Sequence, residues 1–229
     1  MEGRPFGGRA EMVSTDPHRD QPILARGHDL ATARGAVILV HGRGASAADI
    51  LGLADELWYP DLAYLAPEAA EGSWYPYSFL APLPHNEPWL TSALKALGRV
   101  VAQAGTAGIP RARVIVAGFS QGACLATEFV ARHADRYGGL VAFTGGLIGP
   151  PRTAFAYGGD LAGTPVFLGA GDPDPHVPWT RVEETASVLS RLGGQVTLRR
   201  YPNVAHTITR DEIVEARKIV LQVTAPQEK

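Results

Sequence analysis

Residues 114–122 read Val-Ile-Val-Ala-Gly-Phe-Ser-Gln-Gly, four aliphatic or small positions running straight into a glycine-flanked serine. An aliphatic run with no polar alternation is the mark of a strand buried on both faces, and such strands belong to parallel sheets covered by helices on each side. Leu125 and Phe129 follow one helical turn apart, so the serine sits between a strand and a helix. That setting is the one a Gly-x-Ser-x-Gly elbow requires, because the backbone at the serine is strained and the flanking elements pass too close for a Cβ. The expectation is an α/β fold with Ser120 projecting from the carboxyl edge of its sheet.

The rest of the chain has the matching rhythm. Short apolar runs at 36–40, 64–66, 114–117, 140–143, 166–168 and 196–200 read as strands, with 22–26 as an antiparallel edge. Between them lie helical periods: Ile50, Leu53, Ala54 and Leu57; a stripe over 88–103; Val182, Ala186, Leu189 and Leu192, stopped by Gly193 and Gly194; and a last helix over 211–221. A chain of 229 residues with this alternation is expected to hold a loose segment at 1–20 and a single domain over 21–229, with no insertion large enough for a cap domain. The 26 glycines and 18 prolines predict many tight turns, and the long aperiodic stretch 68–87 is the loop expected to be functional.

Charge and cysteine usage exclude several classes. Twenty-one Lys and Arg against 23 Asp and Glu leave a formal charge of −2, so no basic surface for nucleic acid is expected. No apolar run is long enough to span a bilayer, and the first twenty residues contain no apolar signal core. The lone Cys124 cannot close an internal disulfide, and a cytoplasmic location is the expectation. Cys124 itself reads as a small core residue, and pairing into a homodimer is left open.

A serine hydroxyl needs a base to take its proton and a third group to orient that base, in the chain order Ser, Asp or Glu, His. Strand 166–168 is followed by Asp172-Pro173-Asp174-Pro175-His176, and strand 196–200 by Tyr201 through His206, which satisfies the order. His206 is therefore the base. His18, His28, His85 and His133 read as surface residues, His176 precedes the last strand, and His41 reads as bonding within its own loop. Of Asp172 and Asp174, one is expected to orient His206 and the other to cap the turn through backbone bonds. Charge building on an attacked carbonyl oxygen calls for backbone N–H donors, expected at Gln121, after the nucleophile, and at Arg43 in the loop His41-Gly42-Arg43-Gly44. A dinucleotide loop at Gly42-Arg43-Gly44 fails because its third glycine falls at Ala47.

With these pieces in place, the chain resembles the phospholipase/carboxylesterase family of α/β-hydrolases, which includes acyl-protein thioesterases and small carboxylesterases. The resemblance rests on 41–44, 118–122, Asp174-Pro175-His176-Val177-Pro178 and Tyr201-Pro202 through His206, and spans roughly residues 35–222. It implies Asp174 rather than Asp172 as the acid, Ser120 as nucleophile, His206 as base, and a small-molecule ester substrate with no metal or organic cofactor. The chain departs from the family's usual Trp-Phe-Asp at Trp74-Tyr75-Pro76, and has Ala123 where a second glycine is common. Trp74, Tyr75, Tyr77 and Phe79, with His176, are candidates for a substrate pocket, and the four aromatic rings equally for core that anchors the loop. An acyl-protein thioesterase or lysophospholipase, or a perhydrolase or acyltransferase, could use the same residues, and a non-catalytic binding module is the remaining alternative. Ser120 argues against the related dienelactone hydrolases, whose nucleophile is Cys.

Overall fold

The computed structural model describes residues 15–224. Among these residues seven strands, β1 (Ile23–Gly27), β2 (Gly35–Val40), β3 (Leu62–Pro67), β4 (Val114–Phe119), β5 (Gly139–Phe143), β6 (Pro165–Asp172) and β7 (Gln195–Pro202), form one sheet in the order 1-3-2-4-5-6-7. Only β1 runs antiparallel, against β3; every other pairing is parallel. Among the described residues, six α-helices cover the faces: α1 (Ala47–Ile50), α2 (Leu53–Glu56), α3 (Trp89–Thr106), α4 (Gln121–Arg132), α5 (Trp179–Arg191) and α6 (Arg210–Thr224). The alternating faces of the central strands feed two separate cores. Ile38, Val116 and Leu168 pack on one side with α3, α4 and α5, while Val37, Ile115 and Phe167 pack on the other with α1, α2 and α6.

The fully buried burial patterns of β2, β3 and β5 are what their aliphatic sequences predict, whereas β1 is exposed throughout and β7 alternates, as edge strands do. The period over Ile50 to Leu57 resolves into two short helices rather than one. Ser46 caps the first through a reciprocal bond with Asp49, but a turn at Leu51 and Gly52 interrupts the ladder before α2 begins. The loose segment expected at 1–20 falls mainly on residues outside the described ones. Of the rest, His18 is not the surface residue expected: it is buried at 1% exposure.

Topology places the site. The chain crosses from β3 over β2 to β4, so the loops leaving β2 and β4 diverge at the point where the strand order reverses, and a crevice opens there at the carboxyl edge. Register sets the heights. Val40 pairs with Gly118, Phe119 with Phe143, and Asp172 with Pro202, so the loops carrying Arg43, Ser120, Asp174 and His206 all leave the sheet along one edge.

Candidate active site

Ser120 has φ 55° and ψ −119°, in the left-handed half of the map that a residue with a Cβ enters only under strain. Its N–H donates to Phe143 O at 3.0 Å, which ties the strained turn to the end of β5. The flanking glycines are required by contact. A Cβ on Gly118 would lie 2.5 Å from the Gly122 carbonyl, and one on Gly122 would lie 2.1 Å from Val40 O. Gly122→Ala is therefore expected to destabilise the protein by about 3 kcal/mol, the upper end of overpacking costs. Gly105→Ala, in α3 with nothing within 4 Å of the added methyl, is expected to stabilise by about 1 kcal/mol. Urea unfolding of the two variants checks the contrast; a Gly122→Ala midpoint equal to that of wild type would refute the contact argument.

His206 Nε2 lies 2.8 Å from Ser120 Oγ, and its Nδ1 lies 2.7 Å from Asp174 Oδ2. A carboxylate only accepts, so Nδ1 carries the hydrogen and Nε2 presents its lone pair to the serine. The expected division of labour between the two aspartates is corrected here. Asp174 performs both tasks: Oδ2 faces His206, while Oδ1 accepts the N–H groups of His176 and Val177 at 2.8 Å each. Asp172 caps nothing with its side chain, which instead receives the Arg200 guanidinium, Nε at 2.6 Å. Across the β6–β7 ladder Arg200 stands two residues from Asp172's partner Pro202, a neighbour that the sequence of the turn alone does not reveal.

Burial opposes ionisation of Asp174, but the Val177 and His176 amides and the His206 ring outweigh it and hold the carboxyl below the ordinary aspartate range. The His206 ring is flanked by Phe119, 5.0 Å between centroids, and by His176 at 4.9 Å. These two rings limit where the imidazole can swing.

The residue after Ser120, Gln121, is the first of α4, so its N–H has no intrahelical partner. In the β2 loop the turns are closed by Gly44 N–H to Gly72 O and Ala45 N–H to Gly42 O, which leaves the Arg43 amide outside them. His41 is fully buried and bonds within its loop as expected, Nδ1–H donating to Gly42 O at 2.8 Å; its Nε2 also reaches outside the loop and accepts Ala69 N–H at 3.1 Å, which sets that tautomer. Because Gly42 C=O and Arg43 N–H share one planar trans peptide, holding the oxygen aims the amide the opposite way.

The side chains of Arg43 and Gln121 do work that motif reading misses. The Arg43 guanidinium donates to Ser73 Oγ and to the carbonyls of Tyr75, Pro76 and Tyr77 at 2.7–3.0 Å. Gln121 accepts Trp74 N–H at 3.0 Å and donates to Tyr75 O at 2.8 Å. Both residues thus hold the loop 73–77 against the site. The only sequence signal was indirect: two long polar side chains beside a loop without any period of its own.

A cavity of about 630 Å³ opens over Ser120 and His206, walled by Tyr75, Tyr77, Phe79 and His176, with Phe119 and Val177. Trp74 does not line it. Its ring is fully buried behind the loop, in contact with His41 at 5.0 Å, and its Nε1–H donates to His41 O at 2.9 Å. Cys124 is buried along the cavity lining, where burial pushes its thiol up to about 12 and keeps it protonated. A larger groove of about 820 Å³ between α3 and α4 is lined by Leu94, Val101 and Phe129 and lies away from these groups. No helix among the described residues is long and apolar enough to cross a membrane.

A mostly parallel sheet whose carboxyl-edge loops bring a strained serine, a histidine and an aspartate into one hydrogen-bonded line defines an α/β-hydrolase. Within that class the chain belongs to the phospholipase/carboxylesterase family, whose model matches residues 28–223. A phospholipase/carboxylesterase structure from Dyadobacter fermentans is 46% identical, with a TM-score of 0.85 over 88% of this chain and 96% of that one. Acyl-protein thioesterase 1 of Candida albicans is 25% identical over 84% of this chain and 94% of its own length. The Debaryomyces hansenii protein of the same name is 32% identical over 49% of each chain. A Bacillus cereus carboxylesterase, 22% identical with a TM-score of 0.73 over 90% of this chain and 95% of that one, shares the fold.

Proposed function

We propose that residues 21–229 form a single serine carboxylesterase domain that hydrolyses small to medium carboxylic esters through an acyl-enzyme. The observation that carries this reading is the continuous hydrogen-bonded line from Ser120 Oγ through His206 to Asp174, set in the wall of an open cavity. In the proposed cycle His206 Nε2 takes the Ser120 proton as Oγ attacks the carbonyl carbon. Negative charge on the carbonyl oxygen is met by the Arg43 and Gln121 amides, and Asp174 stabilises the imidazolium. Collapse expels the alcohol, which leaves with the proton from His206. Water then attacks the acyl-serine, His206 takes its proton, and the acid is released as Ser120 recovers its hydrogen.

A cavity of about 630 Å³ walled by aromatic rings and open to solvent suits a medium acyl or alcohol group better than a lipid aggregate. A thioesterase reading is favoured by the likeness to proteins named acyl-protein thioesterase 1. Both readings share the acyl-enzyme and differ in the leaving group. Turnover of p-nitrophenyl esters from acetyl to palmitoyl, set beside the matching acyl thioesters, tests them together. The expected profile peaks at short to medium acyl length on oxygen esters. Preference for long-chain thioesters would favour the second reading, and absence of turnover with absence of fluorophosphonate labelling would defeat both.

A further inference from the structure

We infer that His18 is a positioning residue of the active site, acting through Trp74 on the loop and helix end that present the two oxyanion amides; the inference rests on the esterase reading above. His18 is far from Ser120 in sequence and belongs to none of the motifs. It is nevertheless buried and held from several directions. Its N–H donates to Ser92 Oγ at 2.9 Å, and its carbonyl accepts Arg99 Nη2 at 2.7 Å, which moors it on α3. Its ring packs against Trp74 and Trp89, with centroids 5.4 and 5.3 Å away.

The ring's hydrogen bonds specify one tautomer. Nδ1 accepts Ala70 N–H at 3.0 Å, so Nε2 carries the hydrogen and donates to Trp74 O at 3.0 Å. Burial lowers the His18 pKa against the raising effects of the Trp74 carbonyl and Asp16, while Arg99 and His41 lower it further; the neutral ring is the state this arrangement requires. His18 and His41 thereby clamp consecutive amides, those of Ala70 and Ala69, at the start of the pocket loop.

Trp74 passes the restraint on. With its carbonyl held by His18, its N–H meets Gln121 Oε1 at 3.0 Å and its indole N–H meets His41 O at 2.9 Å. Gln121 supplies one oxyanion amide, and His41 leads directly into the Gly42–Arg43 peptide that supplies the other. A small displacement of Trp74 would therefore reach both donors, and oxyanion donors lose most of their effect when misdirected.

Two substitutions separate this role from general packing. In His18→Gln the side-chain amide reaches the position of Nε2 and keeps the bond to Trp74 O. In His18→Asn the oxygen occupies the place of Nδ1, keeping the bond to Ala70 while releasing Trp74. Expected for His18→Asn is a kcat about tenfold to a hundredfold below wild type with KM changed less than about threefold, a smaller loss than removal of a donor outright. His18→Gln should return kcat to within about threefold of wild type. The inference is overturned if His18→Asn keeps wild-type kcat, if the two variants fall equally, or if the loss lies in KM. Hydrogen exchange of the Trp74 amide reads the same linkage without turnover: faster in His18→Asn and close to wild type in His18→Gln, with equal exchange in both variants counting against it. Should wild-type protein fail to hydrolyse esters, the esterase reading fails, and exchange at Trp74 still decides whether His18 holds this loop.

Discussion

Replacement of Ser120 by Ala is expected to reduce ester turnover by about six orders of magnitude, to the residual level that oxyanion donors and binding sustain without a nucleophile. Covalent labelling by a fluorophosphonate should vanish with it. The protein should remain folded, because the strain at φ 55° arises from the Cβ, which alanine retains, and the Ser120 N–H bond to Phe143 O involves only backbone. Unchanged thermal unfolding would thus accompany lost activity. A Ser120→Ala protein that still acquires the label, or turns over within tenfold of wild type, would place the nucleophile elsewhere. Burial of the Cys124 thiol makes that residue a poor substitute.

The second large effect is expected at Asp174. Asp174→Asn should cost about four orders of magnitude in rate, because an amide nitrogen or oxygen facing Nδ1 no longer demands the tautomer with its lone pair toward Ser120. Asp172→Asn should change the rate by less than tenfold, since Asp172 pairs with a half-exposed Arg200 and such pairs contribute about 0–1 kcal/mol. Reversal of the two results would transfer the acid's role to Asp172. The same pair differs in acid. The Asp174 carboxyl is held below the ordinary range, so its contribution to stability is present above about pH 4, the unfolded value, and is lost as pH falls through the folded one. Wild-type protein should therefore lose stability below pH 4 more steeply than Asp174→Asn, as urea midpoints across pH 2 to 6 would record.

Much of this site is legible before any coordinates. A parallel strand announces itself by its aliphatic run, a strained elbow by its glycines, and the order of Ser120, then Asp172 or Asp174, then His206 by the strands that precede each residue. The partition of Asp172 and Asp174 was not legible from the turn, because it depends on Arg200, which reaches Asp172 only through the pairing of β6 with β7. Trp74 anchors its loop rather than lining the pocket, a choice the residues alone left open for a related reason. An aromatic in an aperiodic loop has no face that sequence can assign, and its ring turned inward once His18, His41 and Gln121 took its three polar groups.

Sequence by itself determined the fold class, the carboxyl-edge placement of the four loops, and the serine, the histidine and the two aspartates as the candidates they carry, because strand burial and elbow strain are local demands that only certain residues meet. Tertiary structure alone decided which side chains hold those loops in place. Arg43, Gln121 and His18, and His41 through its Nε2 bond to the Ala69 amide, each act across a gap that only folding closes, through hydrogen bonds whose partners no spacing rule connects.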